Sequence, residues 1–166
     1  LVQGQPDRVA DRIRRDELLV LTVSRMSSEK NLIFLIETMI LFLTRNRNAK
    51  FILVGGGPLL PHLKKMVLRS GIDTNRVLFV GGLENQYVWD YYRASDIFVF
   101  TSTSETQGMV VAEAMWSGLP VVAVDAIGVR DQVHDGITGF LTEKNPAALL
   151  KALETLSTDS SLRKKF

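Results

Sequence analysis

The segment I-F-V-F-T-S-T-S-E-T-Q-G-M-V-V-A-E-A-M-W-S-G-L-P-V-V-A-V, running from Ile97 to Val124, decides the fold. It opens with an apolar run (Ile97–Phe100), passes through small hydroxyl residues, and becomes helical from Gly108 to Ser117. It ends in a second apolar run at Val121–Val124. Neither run alternates with polar residues, so both suit strands buried on two faces, as in a parallel sheet covered by helices. Outward from this unit the same alternation repeats. Further strands are expected at Leu18–Val23, Phe51–Val54, Val77–Val80 and Gly139–Leu141. Helices are expected at Asn31–Arg45, Leu59–Ser70, Glu84–Ala94, Val129–His134 and Pro146–Leu156. Six strands, each followed by a helix, give an α/β class: a Rossmann-like, doubly wound parallel sheet with helices on both faces and right-handed connections. Residues 1–17 are polar and charged and read as a linker, leaving 18–166 as one domain.

The 166 residues and 46% hydrophobic content are enough for one core. There are no cysteines, which excludes disulfides, thiol catalysis and Cys-ligated zinc and fits a cytoplasmic setting. Two histidines, His62 and His134, are too few for a histidine metal site. The apolar stretch from Leu32 to Leu43 is broken by Glu37 and Thr38 and is too short for a membrane span, so a soluble protein is expected. Asp7, Arg8, Asp11 and Arg12 stand where a secretory signal would be apolar. A net charge of +2 does not argue for nucleic acid. The chain has no initiator Met and ends at Arg163-Lys164-Lys165-Phe166 within a helical pattern, so it is expected to be excised from a longer protein.

A doubly wound sheet binds ligands outside the carboxyl ends of its strands, at the point where strand order reverses. The loops to inspect are therefore Ser24–Lys30, Gly55–Pro58, Gly81–Leu83, Thr101–Gly108 and Asp125–Gly128. In the fourth, a helix begins near Gly108. The amides of Gly108, Met109 and Val110 have no partner within that helix, and with its dipole they form an anion site. Glu105 precedes this site and Glu113 lies inside the helix. Carboxylates repel phosphate but bind vicinal sugar hydroxyls well. Either glutamate alone reads as a residue favoured at a helix start or as a solvated one; the pair around an anion site reads as a ligand site. Arg25 and Lys30, in S-R-M-S-S-E-K-N, reach the same sheet edge. They suit a second anion contact or, equally, a solvated basic pair beside a Ser27/Ser28 cap. G-G-G-P-L-L at Gly55 lacks the third glycine of a dinucleotide fingerprint and reads as a turn. Gly82 and Leu83 lie between strand and helix, where backbone groups suit contact with a planar base or a simple turn. Trp89 and Tyr92 read as packing.

These motifs together resemble the group 1, family-four retaining glycosyltransferases of the GT-B type. The resemblance is carried by S-R-M-S-S-E-K-N (Ser24–Asn31), F-I-L-V-G-G-G-P (Phe51–Pro58), V-L-F-V-G (Val77–Gly81) and Y-Y-R-A-S-D-I-F-V-F-T-S (Tyr91–Ser102). Its most specific part is Ser104–Ala123, with Glu105 and Glu113 at the family's spacing, followed by D-G-I-T-G-F-L (Asp135–Leu141). It implies the C-terminal, donor-binding half of a two-domain enzyme whose N-terminal acceptor domain lies elsewhere in the parent chain. By the same resemblance, Arg25 and Lys30 bind the donor diphosphate and stabilise the leaving group. Glu105 faces the transferred sugar, and Glu113 holds the ribose. Gln107, Gly108, Met109 and Val110 contact sugar and phosphate, and Gly82 and Leu83 border the base. No metal and no cofactor is implied. The donor is a nucleoside diphosphate sugar, with UDP preferred, and the acceptor is a glycan or lipid. Ser24 replaces a frequent glycine. Ala126–Asp131 departs from the usual double glycine, so Asp131 receives no ligand role. The Thr106-Gln107 pair resembles the branch acting on membrane lipids, which places the parent at the inner face of a membrane. A competing reading is a non-catalytic nucleotide-binding or regulatory domain. Another is peripheral membrane association through Lys64, Lys65, Arg69 and the N-terminal arginines.

Overall fold

The computed structural model describes residues 16–105 and 107–166. Of the linker expected over 1–17, residues 1–15 lie outside the described residues; Glu17 leads into the first strand and pairs with Lys50 at 2.8 Å. Six strands form a single sheet: β1 (Leu18–Val23), β2 (Ala49–Val54), β3 (Val77–Gly81), β4 (Ile97–Phe100), β5 (Val121–Val124) and β6 (Gly139–Thr142). Their order is β3-β2-β1-β4-β5-β6, and all the pairings between strands are parallel. This is the doubly wound Rossmann order, whose direction reverses between β1 and β4. The helices are α1 (Leu32–Arg45), α2 (Leu60–Arg69), α3 (Asn85–Ala94), α4 (Met109–Trp116), α5 (Pro146–Thr158) and α6 (Ser160–Lys165).

Alternate strand residues divide between two cores. Val20, Phe51, Leu53, Ile97, Val99 and Val122 face one side, against Leu35, Met39 and Phe42 of α1, Leu63 of α2 and Leu149 and Leu153 of α5. Leu19, Leu21, Ile52, Val54, Phe98, Phe100, Val121 and Ala123 face the other, against Tyr91 and Tyr92 of α3 and Val111 and Ala114 of α4. Continuous apolar strands are needed because both faces are covered. His62 and His134 are exposed. Lys64, Lys65 and Arg69 are solvated on α2, and Lys64 also sits 5.9 Å from the centre of the Phe79 ring. No described helix is long and apolar enough to cross a membrane.

One expected element is absent. Val129–His134 is a series of turns rather than a helix, so β5 reaches β6 without one. Val129 and Val133 are still buried against the α3–α4 side of the sheet, which produced the helical pattern. The segment is only a turn or two long, below what helix propagation supports unaided. It mixes three-residue bonds, such as Gln132 N to Val129 O (3.0 Å), with isolated four-residue bonds, Arg130 N to Ala126 O (3.0 Å) and Val133 N to Val129 O (2.9 Å), and no regular helix propagates. Gly128 precedes it at φ 83° and Gly136 follows at φ 73°. The Asp135 side chain then accepts the Leu141 amide at 2.9 Å, which fixes the start of β6.

Candidate functional site

The loops after β1 and β4 leave neighbouring strands at the reversal point and enclose a cleft of about 580 Å³. Arg25, Lys30, Glu105, Gln107, Gly108, Met109 and Val110, far apart in sequence, all line it. Lys30 Nζ donates to Glu105 Oε1 in an ion pair whose side chains are only 16% and 22% exposed. Arg25 is the opposite case: its side chain is 73% exposed and meets Glu29 at 3.3 Å. The Ser27 hydroxyl donates to Glu29, and with Arg25 and Lys30 close by it holds that carboxyl below the usual carboxylate range. Asp125 and Arg130, on the next loop, form a two-pronged pair at 2.8 and 2.9 Å, and Asp131 is exposed.

Gly108 adopts φ 54° at the start of α4, where the first helical bond runs from Val111 N to Gly108 O at 2.8 Å. A Cβ on Gly108 would come within 3.1 Å of Gln132 Nε2 and 3.3 Å of Gly128 O. The left-handed backbone favours glycine here, and a side chain would also press on Gln132 and the Gly128 carbonyl. Gln132 Nε2 donates to Gln107 O and, at 3.1 Å, to Gly128 O, fastening the β4–α4 loop to the β5–β6 connection.

The glycine turn after β2 proves to be the backing of the Arg25 loop. Ser24 N donates to Val54 O at 3.0 Å and Met26 N to Gly56 O at 2.8 Å. A Cβ on Gly57 would meet Met26 O at 2.5 Å, so only glycine allows this approach.

Glu113, Gly82 and Leu83 lie outside the cleft lining. Glu113 is half-buried on α4, and its Oε2 accepts the Tyr92 hydroxyl at 2.9 Å. Burial, with this bond second, pushes the Tyr92 hydroxyl far above its ordinary pKa, so it remains a donor. Tyr92 belongs to α3, the helix that follows Gly82 and Leu83. Leu83 packs into the core on the α3–α4 side, and Gly82 is exposed. Tyr92 is a packing residue, as expected, but its hydroxyl also holds one oxygen of Glu113. Trp89 is half-buried, 5.7 Å from the Tyr92 ring.

Asn31 was not expected to matter here. It takes a left-handed conformation (φ 53°, ψ 32°) between the β1 loop and α1. Its Nδ2 donates to Thr101 O at 3.0 Å and Thr103 Oγ1 at 3.2 Å, and its Oδ1 accepts from Lys144 at 2.8 Å. Thr101 Oγ1 donates back to Lys30 O at 3.0 Å. The loop carrying Lys30 is thus tied to the loop carrying Glu105. The available signal was an asparagine at the end of S-E-K-N, since asparagine is among the few non-glycine residues that visit this conformation. Asn31→Gly keeps the backbone accessible and removes the ties. It is expected to cost about 1–3 kcal/mol in urea unfolding; wild-type stability for this variant would show that the ties contribute nothing.

Among the described residues no group of three or more His, Asp or Glu is placed to hold a metal ion. A basic cleft at the reversal point of a doubly wound sheet, bordered by one paired carboxylate, is the arrangement on which the sequence motifs converge. The family model of glycosyl transferases group 1 matches residues 5–166. The chain belongs to the group 1 glycosyltransferases. It is 34% identical over 145 residues to the alpha-monoglucosyldiacylglycerol synthase of Acholeplasma laidlawii, covering 87% of this chain and 35% of the synthase. It thus spans well under half the length of that relative. Among solved structures it is similar to Anabaena HepE in complex with UDP and glucose, with a TM-score of 0.80 and 29% identity over 90% of this chain and 41% of that one. It is also similar to S. aureus TarM, in a complex that includes UDP, with a TM-score of 0.84 and 26% identity over 92% of this chain and 31% of the other. The group 1 glycosyltransferase assignment and the all-parallel sheet agree with the doubly wound fold of these GT-B relatives.

Proposed function

We propose that this domain binds the donor of a retaining glycosyl transfer, a nucleoside diphosphate sugar with UDP preferred, whose hexose passes to a glycan or lipid acceptor. The observation that carries the reading is the convergence of Lys30, Arg25 and the start of α4 on one cleft that also contains Glu105. The diphosphate lies against Lys30, Arg25 and the α4 N-terminus, where cationic groups and helix amides stabilise its charge. The sugar lies towards Glu105. The nucleoside runs along α4, its ribose at the Glu113 oxygen left free by Tyr92 and its base beside Gly82 and Leu83. In the reaction the bond from the anomeric carbon to the diphosphate breaks. The acceptor oxygen bonds to that carbon on the same face, and its proton passes to the departing diphosphate oxygen. Charge developing on the diphosphate is what Arg25 and Lys30 offset, and Glu105 sits on the sugar side of that bond. UDP-bound HepE and TarM support the choice of nucleotide, and the alpha-monoglucosyldiacylglycerol synthase of Acholeplasma supports a lipid among the acceptors. An acceptor-binding half is needed for transfer, so residues 1–166 alone are expected to bind donor without turnover.

Calorimetry with UDP, GDP, ADP and NAD tests the reading. Binding of a nucleoside diphosphate without NAD is expected, and binding of NAD alone would overturn it. Glu113→Ala is expected to weaken UDP binding by about 1–3 kcal/mol, the value of one or two charge-assisted hydrogen bonds. Unchanged affinity would remove Glu113 from the ribose.

A further inference from the structure

The two groups assigned to opposite ends of the donor, Lys30 at the diphosphate and Glu105 at the sugar, are bonded to one another, with both side chains largely withdrawn from water. A phosphate that reaches Lys30 therefore competes with Glu105 for the ammonium group. We propose that this ion pair is a selectivity latch, which makes the cleft prefer the intact nucleotide sugar over the spent nucleoside diphosphate. The inference rests on the donor-binding reading above.

The two ligands differ in what they offer the Glu105 carboxylate. An intact donor brings sugar hydroxyls, and Glu105 exchanges one charge-assisted bond for others. A free diphosphate brings no such donors. Its terminal phosphate is also more negative than the same phosphate esterified to a sugar. Glu105 is then left beside an anion that competes for its cation, an unfavourable arrangement for a carboxylate whose side chain is only 22% exposed. Arg25 pairs with Glu29 rather than with Glu105, so Lys30 is the cation that the carboxylate and the phosphate share. The backbone limits escape by movement: Thr101 Oγ1 donates to Lys30 O at 3.0 Å and Asn31 Nδ2 to Thr101 O at 3.0 Å, so the two loops carrying the pair stay together. The ion pair thus weakens binding of the product much more than binding of the substrate, which favours release after transfer.

The test is a double-mutant cycle on the 166-residue chain, read by calorimetry with UDP and with UDP-glucose. Glu105→Gln keeps the side-chain shape and removes the charge. It is expected to raise UDP affinity roughly tenfold, the effect of a single charge-assisted bond. UDP-glucose affinity should change much less, because the lost sugar contact offsets the freed Lys30. In a Lys30→Met background the same Glu105→Gln substitution should raise UDP affinity less than threefold. An unchanged UDP affinity in the single variant overturns the latch while leaving the donor site in place. A tenfold rise that persists in the Lys30→Met background also overturns it, since simple repulsion by Glu105 would then suffice. If the wild-type chain binds neither UDP nor UDP-glucose, the donor-binding reading fails and the latch fails with it. A cooperative melt well above the titration temperature for each variant shows that the affinities belong to folded protein.

Discussion

Lys30→Met is expected to lower UDP affinity by roughly 10- to 150-fold and to leave the affinity for uridine unchanged. The range corresponds to the ~1.5–3 kcal/mol of a hydrogen bond to a charged group. Lys30 is the stronger candidate than Arg25 because of its surroundings. Its side chain is 16% exposed where that of Arg25 is 73% exposed, so water screens it less. Part of its attraction for phosphate is spent on releasing Glu105, which places the expected loss nearer the lower end of the range. Arg25→Ala should produce a smaller loss of the same kind, greater for UDP than for uridine. Calorimetry with the two ligands separates these outcomes. Equal losses for uridine and UDP would move Lys30 away from the diphosphate.

The second large effect concerns stability. Gly55 stands at φ 132°, and a Cβ there would lie 2.0 Å from Ser24 O and 2.9 Å from Ser24 C. Both obstacles are backbone, and that backbone is fixed by the bond from Ser24 N to Val54 O. Gly55→Ala therefore combines backbone strain with overpacking, about 2–6 kcal/mol in sum. For a domain of this size the melting temperature should fall by roughly 5–20 °C. The neighbouring Gly56→Ala is the control. Its Cβ would meet only Gly82 N, at 3.8 Å, and a loss below about 1 kcal/mol is expected. Circular dichroism melts of the two variants decide the matter. A Gly55→Ala protein as stable as the Gly56→Ala protein would contradict the steric account.

The sheet was legible because burial on both faces writes itself as uninterrupted apolar runs. Leu18–Val23, Ile97–Phe100 and Val121–Val124 stand at the boundaries expected of them. The failure at Val129–His134 came from the same signal: Val129 and Val133 are buried four residues apart, as in a helix, although turns achieve it. Spacing reveals which side chains are covered, not which backbone bonds cover them. In the site, Arg25, Lys30, Glu105 and the residues around Gly108 could be brought together on paper because parallel strands deliver their following loops to one edge. Pairing between side chains on different loops left no mark in the sequence. Lys30 with Glu105, Tyr92 with Glu113 and Asn31 with Thr101 and Lys144 each depend on rotamers and loop shapes that no periodicity encodes.

The bonds from Asn31 to Thr101 and from Thr101 to Lys30 join positions 70 and 71 residues apart. They join the loop that follows β1 to the end of β4, strands adjacent in the sheet but separated in the chain by β2 and β3. The cleft therefore has no local precursor. A chain emerging during synthesis has both β1 and its loop long before it has anything to pair them with. Any ligand held between these loops recognises only molecules in which the middle of the sheet has closed, and by mass action it draws the population towards that closed form. Nucleotide protection against amide exchange should accordingly extend along β1 and β4 into the centre of the sheet, well beyond the residues the ligand touches.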